Sequence, residues 1–270
     1  MKYASAIDFR KALTERARGA GSHRWLKLVC FERLLARLFA DETARWVLKG
    51  GYALELRLRG RARTTTDLDL SVPPPPHADL LELVQRAAER DLGDFFNYSI
   101  SRQKSLQNAP EGGERFLVET FLGSKLFAEF HLDIGQGDVH GQPVDYLSAQ
   151  TNLGFAGLPV LTFPSYPLRD HFAEKLHAYT KPRDHKTRVK DLVDLALLLE
   201  LGVQSDHALA GTIRGVFELY ATHFIPRPLP LPPEYWLESF REMALEVGLQ
   251  PEDALVWYAR IEEFVTVTLG

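Results

Sequence analysis

The stretch "KGGYALELRLRGRARTTTDLDLSV", residues 49–72, decides the fold. Just before it, "RWVLK" at 45–49 is a short apolar run that reads as a buried strand. Gly50 and Gly51 then allow a tight turn, and "YALELRLRG" carries helical spacing, with Leu54 and Leu58 four apart and Gly60 at the end. A glycine turn between a strand and a helix directs the first helical amides outward with the helix dipole behind them, an arrangement that binds phosphate. "TTDLDLSV" at 65–72 alternates as a strand does: Leu68, Leu70 and Val72 face one way, Asp67 and Asp69 the other. Residues two apart on a strand are about 7 Å apart, so the two carboxylates repel when ionised. Arginines, hydrogen bonds or a divalent cation must compensate, and a few hard oxygen ligands with positions left open for phosphate suit Mg²⁺. A D-x-D pair alone is more often the solvated face of an edge strand. The scarcity of aspartate in strands and the neighbouring glycine turn favour a site.

Working outward, residues 6–18 and 23–40 read as amphipathic helices, with Ser22 as the N-cap of the second. "PPPP" at 73–76 ends the acidic strand, and a helix follows over 77–93. Three β-prone runs joined by glycine turns occupy 97–134. In the last of them Leu126, Ala128, Phe130, Leu132 and Ile134 form one face; Phe127, Glu129, His131 and Asp133 form the other. Asp133 lies at the strand end with the parity to join Asp67 and Asp69. Glu129 and His131 are the alternatives, and His131 is also a supporting neighbour. "LPVLTFP" at 158–164 reads as one more strand, and after Pro167 the pattern is helical over 167–180, 187–201, 206–223, 232–247 and 252–267. The expected class is α+β: residues 1–165 a mixed sheet flanked by helices, residues 166–270 an all-helical half.

The 270 residues are 45% hydrophobic and 25% charged, as in soluble globular proteins. No run approaches the roughly 20 apolar residues that span a bilayer, and the charged N-terminus lacks the apolar core of a signal peptide. No membrane partner is expected. Cys30, the single cysteine, sits in a helical apolar pattern and reads as a buried thiol; its isolation fits a cytoplasmic setting. The net charge of −4 divides into −6 over 201–270 and +2 over the rest. Binding to nucleic acid would therefore need local basic surface. Two places offer it: Arg57, Arg59, Arg61 and Arg63, and the loop "TKPRDHKTRVK" with Lys181, Arg183, Lys186, Arg188 and Lys190. Tyr166 and Tyr179 nearby in sequence are candidates to stack on a base.

The combined motifs resemble the nucleotidyltransferase (DNA polymerase β-like) superfamily and, within it, the AbiEii family of toxins from bacterial toxin–antitoxin systems. That family carries K-G-G-[TS]-A-L followed by R-x-T-x-D-[LI]-D, and "FAEKLHAY" at 172–179 and "RVKDLVDL" at 188–195 resemble its later motifs. The resemblance covers about residues 45–200 and departs from the pattern at Tyr52, which replaces a small hydroxyl residue. It implies a Mg²⁺-dependent enzyme, with two ions, that transfers a nucleoside monophosphate from an NTP to an RNA acceptor, the tRNA 3′ end foremost. A cognate antitoxin protein is implied as partner. On this resemblance Asp67, Asp69 and Asp133 are metal ligands and catalytic carboxylates. Lys49, Gly50, Gly51, Tyr52 and Lys175 bind the nucleotide phosphates. Lys175 also supplies charge to the reaction, and Asp191 orients it or contacts the nucleotide. Asp194 reads as a charge on the helix surface. Arg57, Arg61, Arg63, Arg183, Lys186, Arg188 and Lys190 are candidate RNA contacts. The resemblance leaves two other readings open: transfer to protein hydroxyls, and a non-catalytic sensor of NTP or RNA.

Overall fold

The computed structural model describes residues 1–19, 21–40, 45–61, 65–73, 79–106, 112–137, 143–182 and 188–270. The chain divides into two units. The first comprises Met1–Leu56, Thr64–Asp138 and Tyr146–Ser165; the second comprises Arg57–Arg63, Val139–Asp145 and Tyr166–Gly270.

The described residues form a seven-stranded mixed sheet, with strands β1 (Val47–Lys49), β2 (Asp67–Val72), β3 (Phe96–Ser105), β4 (Gly113–Leu122), β5 (Lys125–Gln136), β6 (Asp145–Ser148) and β7 (Thr162–Ser165). Their order is β3-β4-β5-β2-β1-β7-β6. β3, β4 and β5 form an antiparallel meander, β5 runs parallel to β2, β2 antiparallel to β1, and β1 parallel to β7. The period-2 alternation of β2 and β5 sends Leu68, Leu70, Phe130, Leu132 and Ile134 to a fully buried face. Helices α1 (Ala6–Arg16), α2 (Ser22–Leu38) and α4 (Leu80–Ala88) contribute Phe9, Leu13, Phe31, Leu34, Leu80 and Val84 to the same core. The Phe31 and Phe130 rings meet edge to face at 4.6 Å.

Ser5 and Asp79 cap α1 and α4 by accepting from the amides of Asp8 and Leu81. The capping residue of α2 is Gly21, in the left-handed region at φ +87°, and Ser22 is already helical, so Ser22 is not the N-cap the sequence suggests. The even alternation expected along β5 also breaks. A bulge opposite Thr120 and Phe121 adds Phe127 as an extra residue. It turns Leu126 outward to 47% exposure, while Phe127 packs against Phe96 with the Arg10 guanidinium over its ring. β6 lies in "DYLS", too short and polar for periodicity to reveal.

In the second unit, α5 (Leu168–Thr180) packs on α6 (Val189–Glu200) and α7 (His207–Tyr220), and α6 packs on α8 (Leu237–Val247) and α9 (Ala254–Leu269). Asp206 and Asp253 cap α7 and α9, which is why these helices begin one or two residues after the expected starts. No described helix is long and apolar enough to cross a membrane.

Candidate active site

The polar face of the first unit's sheet carries a row of charge set by strand register. Lys49 of β1 stands opposite Asp69 of β2, Asp69 opposite Asp133 of β5, and Asp133 opposite Arg115 of β4. Four adjacent strands therefore present cation, anion, anion and cation in one line. One step along, Asp67 stands opposite His131. The sheet thus joins acidic residues more than 60 positions apart in sequence, and it does so because β2 and β5 pair in parallel.

Arg115 ties the row together. Its Nε donates to Asp133 Oδ1 at 2.7 Å and its Nη2 to Asp133 Oδ2 at 2.6 Å, a two-pronged pair. Nη2 also reaches Asp67 Oδ2 at 3.3 Å. The hydrogen bond to Asp133 raises the guanidinium pKa against the opposing effect of burial, with further support from the Asp133, Asp67 and Asp69 charges. His131 Nδ1 lies 3.5 Å from Asp67 Oδ1. Lys27 of α2 adds another cation: burial lowers its pKa, and the attraction of Asp67 partly restores it. Its aliphatic stem leads the ammonium over the Phe31 ring at 5.6 Å. The sequence pattern identified neither Arg115 nor Lys27, since each is a lone basic residue until the sheet forms.

The glycine turn is fitted to this row. Gly50 opens α3 (Gly50–Leu58) at φ +65°, a conformation that L side chains rarely adopt. A Cβ there would stand 2.1 Å from Asp69 Oδ2 and 2.7 Å from its Cβ. Asp69 therefore lies directly against the bare backbone of the turn. The helix begins on the glycines themselves, not on Tyr52. The Tyr52 phenol is turned away from the turn's polar side: it is fully buried and donates to Glu32 Oε1 at 2.8 Å. The departure from the family pattern is thus absorbed by the core, and only the Tyr52 amide is left for a phosphate role. Glu32 also accepts from the amides of Gln150 and Thr151 and from the Thr151 hydroxyl. Burial raises the Glu32 carboxyl pKa even so.

In the second unit Lys175 of α5 is held by two aspartates of α6. Its Nζ lies 2.7 Å from Asp194 Oδ2 and 3.4 Å from Asp191 Oδ1. Arg188 Nη1 donates to Asp191 Oδ2 at 3.0 Å. Asp194 is fully buried and is the nearer partner, so it is not the surface charge that the sequence suggests. The apolar stripe of α6 conceals this, because Asp194 lies inside it, among Val193, Leu195 and Leu198.

The basic residues fare unevenly. Arg57 is paired with Asp145 and donates to the Tyr166 carbonyl, with its side chain only 11% exposed. It is a structural cation and not an open RNA contact. Arg61 pairs with Glu200 and donates to the Gly248 carbonyl while remaining half exposed. Arg188 is engaged by Asp191, whereas Lys190 is exposed. Arg63, Arg183 and Lys186 lie outside the described residues. Tyr166 and Tyr179 are buried, and the Tyr179 hydroxyl donates to the Pro230 carbonyl, so neither is presented to stack on a base. Cys30 is buried, which pushes its thiol up to about 12 and removes it as a nucleophile.

Asp67, Asp69 and Asp133 are hard oxygen donors on one sheet face, which suits a divalent cation in kind. Among the described residues, however, no group of three or more His, Cys, Asp or Glu side chains is arranged to hold a metal ion as it stands. Both oxygens of Asp133 accept from Arg115, which also reaches Asp67.

The sequence matches the family described as nucleotidyl transferase AbiEii toxin, type IV toxin–antitoxin system, over residues 33–265. The chain belongs to this AbiEii family. No curated protein sequence matches it significantly. Among solved structures it is similar to MenT4, a nucleotidyltransferase toxin from Mycobacterium tuberculosis H37Rv, with 18% identity and a TM-score of 0.59 over 96% of this chain and 89% of that one. It is also similar to the antibiotic-resistance factor ANT(2'')-Ia, with 16% identity and a TM-score of 0.39 over 72% of this chain and 93% of that one. An antigenic nucleotidyltransferase-like protein from Paracoccidioides brasiliensis shares 12% identity and a TM-score of 0.41 over 75% of this chain and 95% of that one. The likeness to MenT4 shows a nucleotidyltransferase-like fold, and the AbiEii family is one of nucleotidyl transfer toxins that act within toxin–antitoxin systems.

Proposed function

We propose that this AbiEii-family chain is a metal-dependent nucleotidyltransferase that transfers a nucleoside monophosphate from an NTP to an RNA hydroxyl, the tRNA 3′ end foremost. The observation that carries the reading is the cross-strand row of Lys49, Asp69, Asp133 and Arg115 beside the Gly50 turn. Asp67, Asp69 and Asp133 would hold the divalent cations, which supply positive charge to the triphosphate. The amides that open α3 receive phosphate oxygens, and Lys49 adds charge on the same side. The acceptor oxygen attacks the α-phosphorus, the bond to the β-phosphate breaks, and pyrophosphate leaves with that bonding pair. Asp133 takes the hydroxyl proton, since each of its oxygens keeps a lone pair beyond the one given to Arg115. Lys175 is assigned to the nucleotide phosphates, with Asp191 and Asp194 fixing its ammonium. A cytoplasmic site of action and a cognate antitoxin complete the proposal.

The test is incubation of the purified chain with each labelled NTP, Mg²⁺, total tRNA and a protein lysate. Label on RNA, located by sequencing the 3′ ends, supports the reading. Label on protein alone overturns the choice of acceptor, and label on neither overturns the enzyme.

A further inference from the structure

We propose that Arg115 is a resident counter-cation of the carboxylate face, and that a divalent metal must compete with it for Asp133 and Asp67. The inference deepens the proposed function and rests on it for the identity of the metal site.

Three observations carry it. Arg115 sits on β4 directly opposite Asp133, so its side chain shares the sheet face with all three aspartates. Its guanidinium closes a two-pronged pair on Asp133 and extends the same Nη2 to Asp67, spanning β5 and β2 as a bridging ion would. Finally, Arg115 is 24% exposed, Asp133 16% and Asp67 31%, so the pair can exchange without unfolding the sheet.

The chemistry points the same way. Carboxylates gathered on one face raise each other's energy when ionised. An arginine cannot relieve this by losing its own proton, and its planar fork matches a carboxylate edge. The face is therefore partly neutralised before any metal arrives. A cation entering from solution gains the attraction of the aspartates but loses that of the guanidinium bridge. An opposite charge within about 4–6 Å lowers a carboxylate's affinity for a proton by roughly tenfold to a thousandfold, and an incoming metal ion is repelled by the same charge. At this partly exposed position the low end applies, so Arg115 lowers metal affinity by about tenfold.

The experiment is titration of the nucleotide-free chain with Mn²⁺, with free metal followed by electron paramagnetic resonance. Arg115→Met removes the charge at similar length and is expected to tighten Mn²⁺ binding about tenfold. Arg115→Lys keeps the charge and is expected to stay within about threefold of the unaltered chain. Adding Asp69→Asn to Arg115→Met is expected to abolish the gain, which locates the ion. A second measurement needs no variant: the Arg115 Nε–H resonance of the unaltered chain is expected to shift as Mg²⁺ saturates. Mn²⁺ binding no tighter in Arg115→Met, or an Nε–H resonance unmoved at saturating Mg²⁺, overturns the inference. Neither readout involves an NTP. Tightened metal binding in a chain that labels no acceptor would instead sink the proposed function and leave the competition standing.

Discussion

Substituting Gly50 by alanine tests whether the glycine turn and the acidic strand are one device. Two penalties arise from the structure. At φ +65° the residue lies in the left-handed region, which is disfavoured by about 1–2 kcal/mol for a residue with a Cβ. The new methyl would also stand 2.1 Å from Asp69 Oδ2, 2.5 Å from its Cγ and 2.7 Å from its Cβ. Because the Asp69 Cβ is itself too close, rotating the carboxylate does not relieve the clash, and the whole side chain must move by roughly 1 Å. A displacement of about 1 Å at a reacting centre lowers turnover on the order of 100-fold. Gly50→Ala should therefore lose about 2 kcal/mol of stability and transfer nucleotide about 100-fold more slowly, read by urea unfolding and by labelled-NTP incorporation. Gly211→Ala in α7 is the control: its Cβ would meet nothing within 4 Å, and replacing a helical glycine gains about 0.5–1 kcal/mol. Full activity in Gly50→Ala would refute the link between turn and carboxylate, however stable the variant proved.

Three further outcomes are expected. Tyr52→Phe should lose about 1–2 kcal/mol, the cost of leaving Glu32 short of a buried donor, yet keep its activity and NTP affinity within about twofold; a large rise in NTP KM would mean the phenol meets the nucleotide after all. Lys175→Met should destabilise the chain by about 3 kcal/mol, because buried Asp194 loses its nearest cation, and adding Asp194→Asn should recover much of that loss without restoring transfer. Asp94 titrates below the ordinary carboxylate range: burial alone would raise it, but the Arg37 and Arg33 bonds and charges outweigh burial. A depressed pKa means the contribution is complete above the unfolded value of about 3.9 and is lost as pH falls through the folded one. The stability gap between the unaltered chain and Asp94→Asn should accordingly be constant from neutral pH to about 5 and close below about 4, as urea unfolding at each pH will show.

How much of this was legible beforehand depended on range. The paired aspartates and the glycine turn lie within two dozen residues, and alternation and turn chemistry act at that distance, so they could be read directly. Asp133 could be placed by parity along its strand, but its partner could not: Arg115 meets it only through the antiparallel register of β4 and β5. The direction of the Tyr52 phenol was hidden for a related reason. A local motif says which position meets the phosphate, whereas Glu32, twenty residues upstream on α2, decides where the phenol goes. Asp194 was concealed by its own helix, since a carboxylate inside an apolar stripe looks displaced until a lysine from another helix is seen to reach it. The four-residue β6 left no periodic trace at all.

Strand register lets the chain tolerate three aspartates on one sheet face. Each anion of the central row is flanked by a cation one strand away, Lys49 beside Asp69 and Arg115 beside Asp133, so the repulsive pair is held at the middle of a neutralised line. Cross-strand neighbours of opposite charge contribute favourably, and like charges directly opposite do the reverse. The Asp69–Asp133 pairing is thus the one unfavourable contact in the row, and the two outer cations offset it. Local consistency of this kind is what foldable sequences show, and a contact that breaks it is where a functional site is expected. Neutralising both outer cations should therefore cost more stability in the unaltered chain than in one that also carries Asp69→Asn, where the like-charge contact is already gone. If Lys49→Met combined with Arg115→Met costs as much in the Asp69→Asn chain, as urea unfolding at neutral pH will show, the flanking cations are not what makes the acidic row tolerable.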